Sequence, residues 1–124
     1  MNFGFKRSDR VADLIKEEMA LMLLYELKDP RIQGMVTVME VRVSDDLRHA
    51  KIFVSVLGND TKKECALEGL NSAKGFVRRT LGSRLHLKRT PTVDFFIDKR
   101  IDAQEQITKL LESVHSAGKV NQEG

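Results

Sequence analysis

The sequence predicts an α+β domain with the element order α-β-β-α-α-β, a three-stranded sheet and one extra helix at the C-terminus. Apolar residues recur at helical spacing from Val11 to Met22. Two runs rich in β-branched residues follow, at 36–43 and 51–57, and apolar and other residues alternate over 93–97. The length of 124 residues is that of one ordinary domain.

The first helix is predicted to begin at Ser8, whose side chain can accept a backbone N–H at the cap position. It runs to about Leu27, because Lys28-Asp29-Pro30 cannot continue a helical ladder. The helix is apolar nearly all round from Met19 onward, which indicates burial or a partner contact. We expect Met19 and Met22 in the core rather than in a docking groove.

The two strands that follow are predicted to form a hairpin. Ser44-Asp45-Asp46-Leu47-Arg48 between them carries turn residues, and Gly58-Asn59-Asp60 closes the second strand. Thr90-Pro91 then forces an extended backbone ahead of the third strand.

A pair of helices is predicted between the hairpin and the third strand. An apolar stripe at helical spacing runs from about 62 to 87, and Thr61-x-x-Glu64 is the pattern of a capping box. Gly75 interrupts the stripe, and glycine weakens a helix interior. Ala73-Lys74-Gly75 is therefore predicted to form a break or kink between two helices.

The last helix is predicted from a cap at Asp102-x-x-Glu105 and from apolar residues at helical spacing from Ile107 to Val114. We expect residues 1–117 to form a single domain. Its first seven residues would be a flexible arm, and 118–124 a disordered tail.

Several classes of protein are disfavoured by composition. One cysteine allows no internal disulfide, which favours a reducing, cytoplasmic location. The longest apolar run, 19–25, is far shorter than the roughly 20 residues that cross a membrane. The N-terminus becomes charged at once, so we expect no signal peptide and no membrane partner.

No catalytic motif is visible. His49, His86 and His115 lie in no recognisable catalytic pattern, and no glycine-rich phosphate motif occurs. Cys65 is expected to be a small buried helix residue, and Asp45-Asp46 a solvated turn. We expect no enzymatic activity, no metal and no cofactor.

The distribution of charge is more informative than the net charge of +3. No Asp or Glu occurs from Gly69 to Val93, although this stretch is rich in Lys and Arg. An acid-free basic segment predicts an anionic partner, the alternative being a solvated basic helix face. Together with two arginines of the first helix, the predicted RNA-binding residues are Arg7, Arg10, Lys74, Gly75, Arg78, Arg79, Arg84, Lys88 and Arg89.

Geometry on an ideal helix refines this set. Arg78, Arg79 and His86 fall within a sector of about 100°. Lys74 and Gly75 would stand just before the N-terminus of the second helix of the pair, where free N–H groups favour a phosphate. Arg84 projects toward the apolar side, so it has pairing with a carboxylate as an alternative. Phe76 is expected in the core rather than stacked on a base.

The element order and the basic helix pair resemble a type II KH domain, which grips single-stranded nucleic acid with a GXXG loop between two helices. The sequence has no GXXG, and its Ala73-Lys74-Gly75 is similar to the Ala-x-Gly kink of the ribosome-binding factor A family. The resemblance covers about residues 7–115. Its other segments are Arg7-x-x-Arg10-Val11, Leu27-Lys28-Asp29-Pro30-Arg31-Ile32, Val43-Ser44-x-Asp46-Leu47-x-x-Ala50-Lys51, Val54-Ser55-Val56-Leu57-Gly58, Arg78-Arg79-x-Leu81-Gly82-x-Arg84-Leu85 and Pro91-x-Val93-x-Phe95-x-x-Asp98.

The resemblance implies a non-catalytic cytoplasmic factor that binds the immature small ribosomal subunit and its rRNA. Such factors assist late folding and end-trimming of the rRNA, notably in the cold, and leave with help from a maturation GTPase. We expect a monomer. Two alternatives stay open: a general KH-type binder of single-stranded RNA, and a protein-interaction adaptor that docks a partner through its Met-rich first helix.

Overall fold

A computed structural model of the chain describes residues 6–98. Its element order, α-β-β-α-α-β, confirms the predicted α+β class and the three-stranded sheet. The predicted last helix at 102–117, most of the 1–7 arm and the 118–124 tail lie outside the described residues. The elements are α1 (Arg7–Tyr25), β1 (Val36–Val43), β2 (His49–Val56), α2 (Asp60–Ser72), α3 (Lys74–Leu85) and β3 (Thr92–Ile97).

The sheet has the strand order β1-β2-β3. β1 and β2 form the predicted antiparallel hairpin, and β3 lies parallel to β2, which requires the crossover that α2 and α3 provide. Val38, Val54 and Ile97 stand side by side across the three strands. The register shifts between Val38 and Glu40, so β1 carries a bulge near its middle.

One hydrophobic core lies between the helices and one face of the sheet. Met19 and Met22 of α1 are fully buried there, as predicted. α3 contributes Val77 and Leu81, which are also fully buried. Because these residues face the sheet, the opposite side of α3 is turned to solvent. The largest fully buried side chains are Ile15, Met19, Met22, Ile32, Ile52, Leu70, Leu81, Val54, Val56, Val77 and Pro91.

Both ends of α1 differ from the sequence prediction. Ser8 is buried inside the first turn, so the prediction of a Ser8 cap was wrong. Lys6 holds the cap position, and its backbone N–H donates to the Asp9 carboxylate at 3.0 Å. The helix ends at Tyr25 rather than Leu27, because the Leu27 N–H donates to the Met22 carbonyl and turns Leu27 inward.

The cap of α2 also lies elsewhere than predicted. The Asn59 side chain accepts a hydrogen bond from the Lys62 backbone N–H at 3.0 Å, which places the cap two residues before Thr61. Thr61 lies within the first turn, so the predicted capping box at 61–64 was wrong. Gly58, with a φ of 123°, makes the turn that presents Asn59 to the helix.

The break between α2 and α3 lies at Ala73, within the predicted Ala73-Lys74-Gly75 segment. The Ala73 N–H donates to the carbonyls of Gly69 and Leu70, and the residue ends one helix and begins the next. The interruption therefore precedes Gly75, which lies in the first turn of α3. Lys74 and Gly75 belong to that turn, so the expectation that they stand before it was wrong.

Cys65 is exposed, and its predicted burial was wrong. The buried side of α2 is formed by Ala66, Gly69 and Leu70, three and four residues apart. Cys65 precedes Ala66 by one residue, and one residue turns an α-helix by about 100°. Its side chain is therefore directed away from the core.

The cap assignment makes a prediction about stability. Replacing Asn59 with alanine removes the acceptor for the Lys62 N–H and should lower the free energy of unfolding by about 1 kcal/mol. Thr61→Ala is the matched control and should change it by less than about 0.5 kcal/mol. Urea denaturation of both variants measures the difference, and an equal or larger loss for Thr61→Ala would contradict the assignment.

Candidate nucleic-acid interface

The solvent side of α3 carries the centre of the acid-free basic segment. Val77 and Leu81 anchor the helix in the core, and Arg78 and Arg79 are exposed beside them. Their exposure follows from the helical geometry, because each lies one or two residues from Val77. The two arginines nevertheless have different surroundings.

Arg79 is the more accessible of the two arginines. A Cβ added at Gly75 would lie only 3.3 Å from Nη1 of Arg79, so the guanidinium lies over the bare backbone of the first turn. Within residues 6–98, no carboxylate or carbonyl holds this guanidinium by a hydrogen bond or ion pair. Arg79 can therefore present its planar set of donors to a phosphate.

Arg78 is partly engaged by the loop that leads into β3. Its Nε donates to the Pro91 carbonyl at 3.2 Å, and its Nη2 lies 3.4 Å from the Thr90 carbonyl oxygen. At Gly82 an added Cβ would lie 2.6 Å from Oγ1 of Thr90, so the bare glycine lets this loop approach α3. Arg78 thus fixes the position of the loop as well as adding charge.

Lys88 and Arg89 lie in that same loop, and both are exposed. Among the described residues neither is held by an ion pair. His86 ends α3 in the left-handed conformation, with a φ of 52°. The helical sector predicted for His86 was therefore wrong, because the chain has already left the helix at that residue.

Lys74 is placed at the start of α3 but has a partner. Its Nζ lies 2.9 Å from Oδ1 of Asp94 on β3. Asp94 comes just after the acid-free segment in sequence, so the spacing of charges along the chain did not reveal this pair. Lys74 has less uncompensated charge to offer an anion than Arg79 has.

Arg84 is engaged where α3 meets α1. Its Nη1 lies 3.1 Å from Oε1 of Glu18, and its Nη2 donates to Glu26. The hydrogen bond to Glu26, and then that to Glu18, raises the pKa of the Arg84 guanidinium above its ordinary value. Pairing with a carboxylate, the alternative stated for Arg84, is confirmed, and the bridge ties α3 to α1.

Phe76 is 38% exposed, although it was expected in the core. It precedes the buried Val77 by one residue and is therefore rotated by about 100° from the buried stripe. With Arg79 and Arg84 it borders a shallow pocket of about 340 Å³. An aromatic ring beside a cation at a surface is a common setting for nucleobase contacts.

Arg7 and Arg10 are exposed at the start of α1, near the hairpin end of the sheet. Lys6 marks this position, because its Nζ lies 3.6 Å from Oδ1 of Asp45 in the hairpin loop. The loop that holds Lys88 and Arg89 also reaches this end, where the Thr92 N–H donates to the Arg48 carbonyl at 2.8 Å.

Arg48 itself is exposed and was missed by the sequence reasoning. Its turn also contains two acids, so the sequence does not mark it as basic. Arg48 comes close to the loop of Lys88 and Arg89 only because β3 pairs with β2.

No group of three or more His, Cys, Asp or Glu residues within 6–98 is arranged to hold a metal ion. No helix of that part is long and apolar enough to cross a membrane.

Comparison with known proteins gives one consistent result. The family model described as ribosome-binding factor A matches residues 7–111. Ribosome-binding factor A of a Synechocystis species is 49% identical over 113 residues, which cover 90% of this chain and 85% of the relative.

Two structures of ribosome-binding factor A from Thermus thermophilus are similar in fold. The crystal structure has a TM-score of 0.65 and 25% identity, and the match covers 74% of this chain and 97% of that one. A homology model fitted into a cryo-EM map of the 30S complex has a TM-score of 0.58 and 27% identity, and the match covers 68% and 88%.

The ion pairs of Arg84 predict that this arginine stabilises the fold, whereas Arg79 does not. Arg84→Gln should lower the melting temperature by a few degrees, because Glu18 and Glu26 are then left close together without their cation. Arg79→Gln, a change of the same chemistry on the same helix, should leave the melting temperature nearly unchanged. Differential scanning calorimetry compares them, and equal effects would mean that Arg79 also has a structural role.

Proposed function

This chain belongs to the ribosome-binding factor A family, and from that premise we propose that it is a non-catalytic assembly factor for the small ribosomal subunit. It binds the immature subunit through rRNA and promotes late folding and end-processing of that rRNA, most of all in the cold. The relative whose homology model was fitted into a cryo-EM map of a 30S complex supports this partner.

The observation that supports RNA binding most directly is a set of exposed cations on α3 and the loop after it that have no carboxylate partner among residues 6–98. We call it the α3 basic surface and define it by Arg79, Lys88 and Arg89. Arg78 borders it and holds the loop that carries two of its members. Such a surface binds a polyanion by releasing counterions, so affinity falls steeply with salt.

Contacts of this kind position a protein on RNA without selecting a base sequence. The chain has no GXXG, and Ala73 joins α2 directly to α3, so the four-nucleotide clamp of KH domains has no counterpart in sequence here. Recognition would therefore depend on the spacing of phosphates in folded rRNA. That favours a subunit over a free single strand.

A binding protein of this type promotes folding without an energy source. If it binds one conformer of the rRNA more tightly than the others, the population shifts toward that conformer. Misfolded RNA helices persist longer at low temperature, so the contribution of such a protein is largest in the cold. No catalytic group is needed for this action.

The remaining parts of the proposal follow from the family resemblance. We infer a monomer that works in the cytoplasm and is released from the subunit with help from a maturation GTPase. Neither a metal nor a cofactor has a role in this scheme.

The two alternatives differ in what they require of the surface. A general binder of single-stranded RNA would bind free strands as tightly as subunits. An adaptor that uses the methionines of the first helix would need Met19 and Met22 to be accessible, and both are fully buried. The exposed apolar residues near the end of α1 are instead Leu21, Leu24 and Tyr25.

Charge reversal on the α3 basic surface should weaken subunit binding. In the variant Arg79→Glu/Lys88→Glu/Arg89→Glu, co-sedimentation with small subunits should fall, and the slope of log affinity against log salt should flatten by about two to three. Lys16→Glu/Lys28→Glu/Lys62→Glu reverses three exposed cations on α1, in the loop after it and on α2, and is the matched control. An unchanged melting temperature must accompany the loss, and undiminished binding by the triple variant would contradict the proposal.

The conformer-selection mechanism predicts a preference between subunits. Immature small subunits should be bound more tightly than mature ones, and large subunits weakly, when all three are titrated at the same salt concentration. Chemical probing of the rRNA should then change on binding. Equal affinity for both small subunits, together with unchanged probing, would contradict this mechanism while leaving RNA binding intact.

A further inference from the structure

The outer face of the sheet, turned away from the helices, carries a pair of aromatic rings. Phe53 of β2 and Phe96 of β3 are direct neighbours in the register. Their ring centroids are 5.5 Å apart and the ring planes are inclined by 28°. Phe96 remains 41% exposed, since no helix within residues 6–98 packs on this face.

Two cations lie beside the rings. The Arg42 guanidinium carbon is 5.2 Å from the centroid of the Phe53 ring, and Lys51 Nζ is 6.0 Å from that of Phe96. Arg42 and Lys51 are also direct cross-strand partners. Like charges placed directly opposite each other destabilise a strand pair.

The neighbouring acids compensate these two cations unequally. Glu40 pairs with Arg42, but Asp94, the neighbour of Lys51 on β3, is already held by Lys74. Within the described residues no carboxylate forms an ion pair with Lys51. A bound anion would compensate Lys51. The alternative role of the phenylalanines, as a mere cover for the sheet, does not account for this cation.

We propose that this outer face, defined by Arg42, Lys51, Phe53 and Phe96, is a second RNA-binding surface that takes unpaired nucleotides. A base stacks on the exposed Phe96 ring, and the flanking phosphates lie against Lys51 and Arg42. Aromatic rings bordered by cations suit single-stranded RNA of any sequence, because every base has a face that can stack.

This inference rests on the proposed function, since it assumes that the chain is an RNA binder. It assigns different RNA to different faces. The α3 basic surface lies on the helical side and suits the phosphates of folded rRNA, whereas the outer face of the sheet suits strands that are not yet paired. A factor that acts on immature rRNA meets both forms of RNA at once.

A tryptophan reporter tests whether the face is open and binds RNA. The chain contains no tryptophan, so Phe96→Trp in the full chain introduces a single fluorophore on the outer face. Added oligouridine of seven nucleotides should quench its fluorescence in a saturable way. A tryptophan that is shielded from iodide, or that does not respond to oligouridine, would overturn the proposal.

Conservative variants test the stacking and the charges separately. Phe96→Leu keeps an apolar side chain but removes the ring, and it should weaken oligouridine binding by about tenfold. Tyr25→Leu, at an aromatic residue that is 66% exposed elsewhere, should have no effect. Arg42→Gln/Lys51→Gln should flatten the salt slope by about 1.4, and Lys16→Gln/Lys28→Gln should not.

The outcomes separate this inference from the proposed function. If the Phe96→Leu variant keeps its melting temperature but binds oligouridine as the unmodified chain does, the outer face is not a binding surface. The α3 basic surface is judged by subunit binding, which uses other residues and another probe. Loss of subunit binding on changing Arg79, Lys88 and Arg89, together with unchanged oligouridine binding by the Phe96→Leu variant, would leave the proposed function intact while overturning the inference.

Discussion

The packing of three helices against one face of a three-stranded sheet is the constraint on which the other features depend. A domain with one sheet can bury one face of it and leave the other to solvent. α1 spans the buried face with Met19 and Met22, and α3 enters the same core through Val77 and Leu81. Within residues 6–98, two surfaces are thereby left uncovered, the solvent side of α3 and the outer face of the sheet.

On these surfaces, the number of basic residues is a poor guide to the charge that is available. Arg84 bridges Glu18 and Glu26, Lys74 pairs with Asp94, and Arg78 holds the loop before β3. These contacts stabilise the arrangement of α3 against α1 and β3. The cations with no such partner among residues 6–98 then project from a fixed backbone frame, so binding does not also have to order the backbone that carries them.

The elements of the fold were predictable because they depend on local patterns. The hairpin turn and the alternation in β3 each lie within a few neighbouring residues, and so does the spacing that buries Met19 and Met22. The helix caps were not predictable in this way. Ser8 and Thr61 have side chains suited to a cap position, but each cap lies two residues earlier. There Lys6 bonds to Asp9, and Asn59 accepts from Lys62.

The partners of the basic residues could not be predicted from the sequence, for a different reason. Glu18 and Arg84 are far apart in the chain and meet only when α1 and α3 pack together. Arg42 and Lys51 are placed opposite each other by the hairpin register, which includes a bulge that no residue pattern announced. Basic composition indicated an anionic partner. Only the fold shows which cations already have a carboxylate or carbonyl partner among residues 6–98.

The most direct test of this account is a cryo-EM map of the protein bound to immature small subunits. The account predicts that the side of α3 with Arg79, and the loop with Lys88 and Arg89, face rRNA phosphates. A map in which these residues face solvent, while the end of α1 at Leu24 and Tyr25 contacts a ribosomal protein, would contradict it. That result would identify a protein-docking factor whose basic helix face is only solvated.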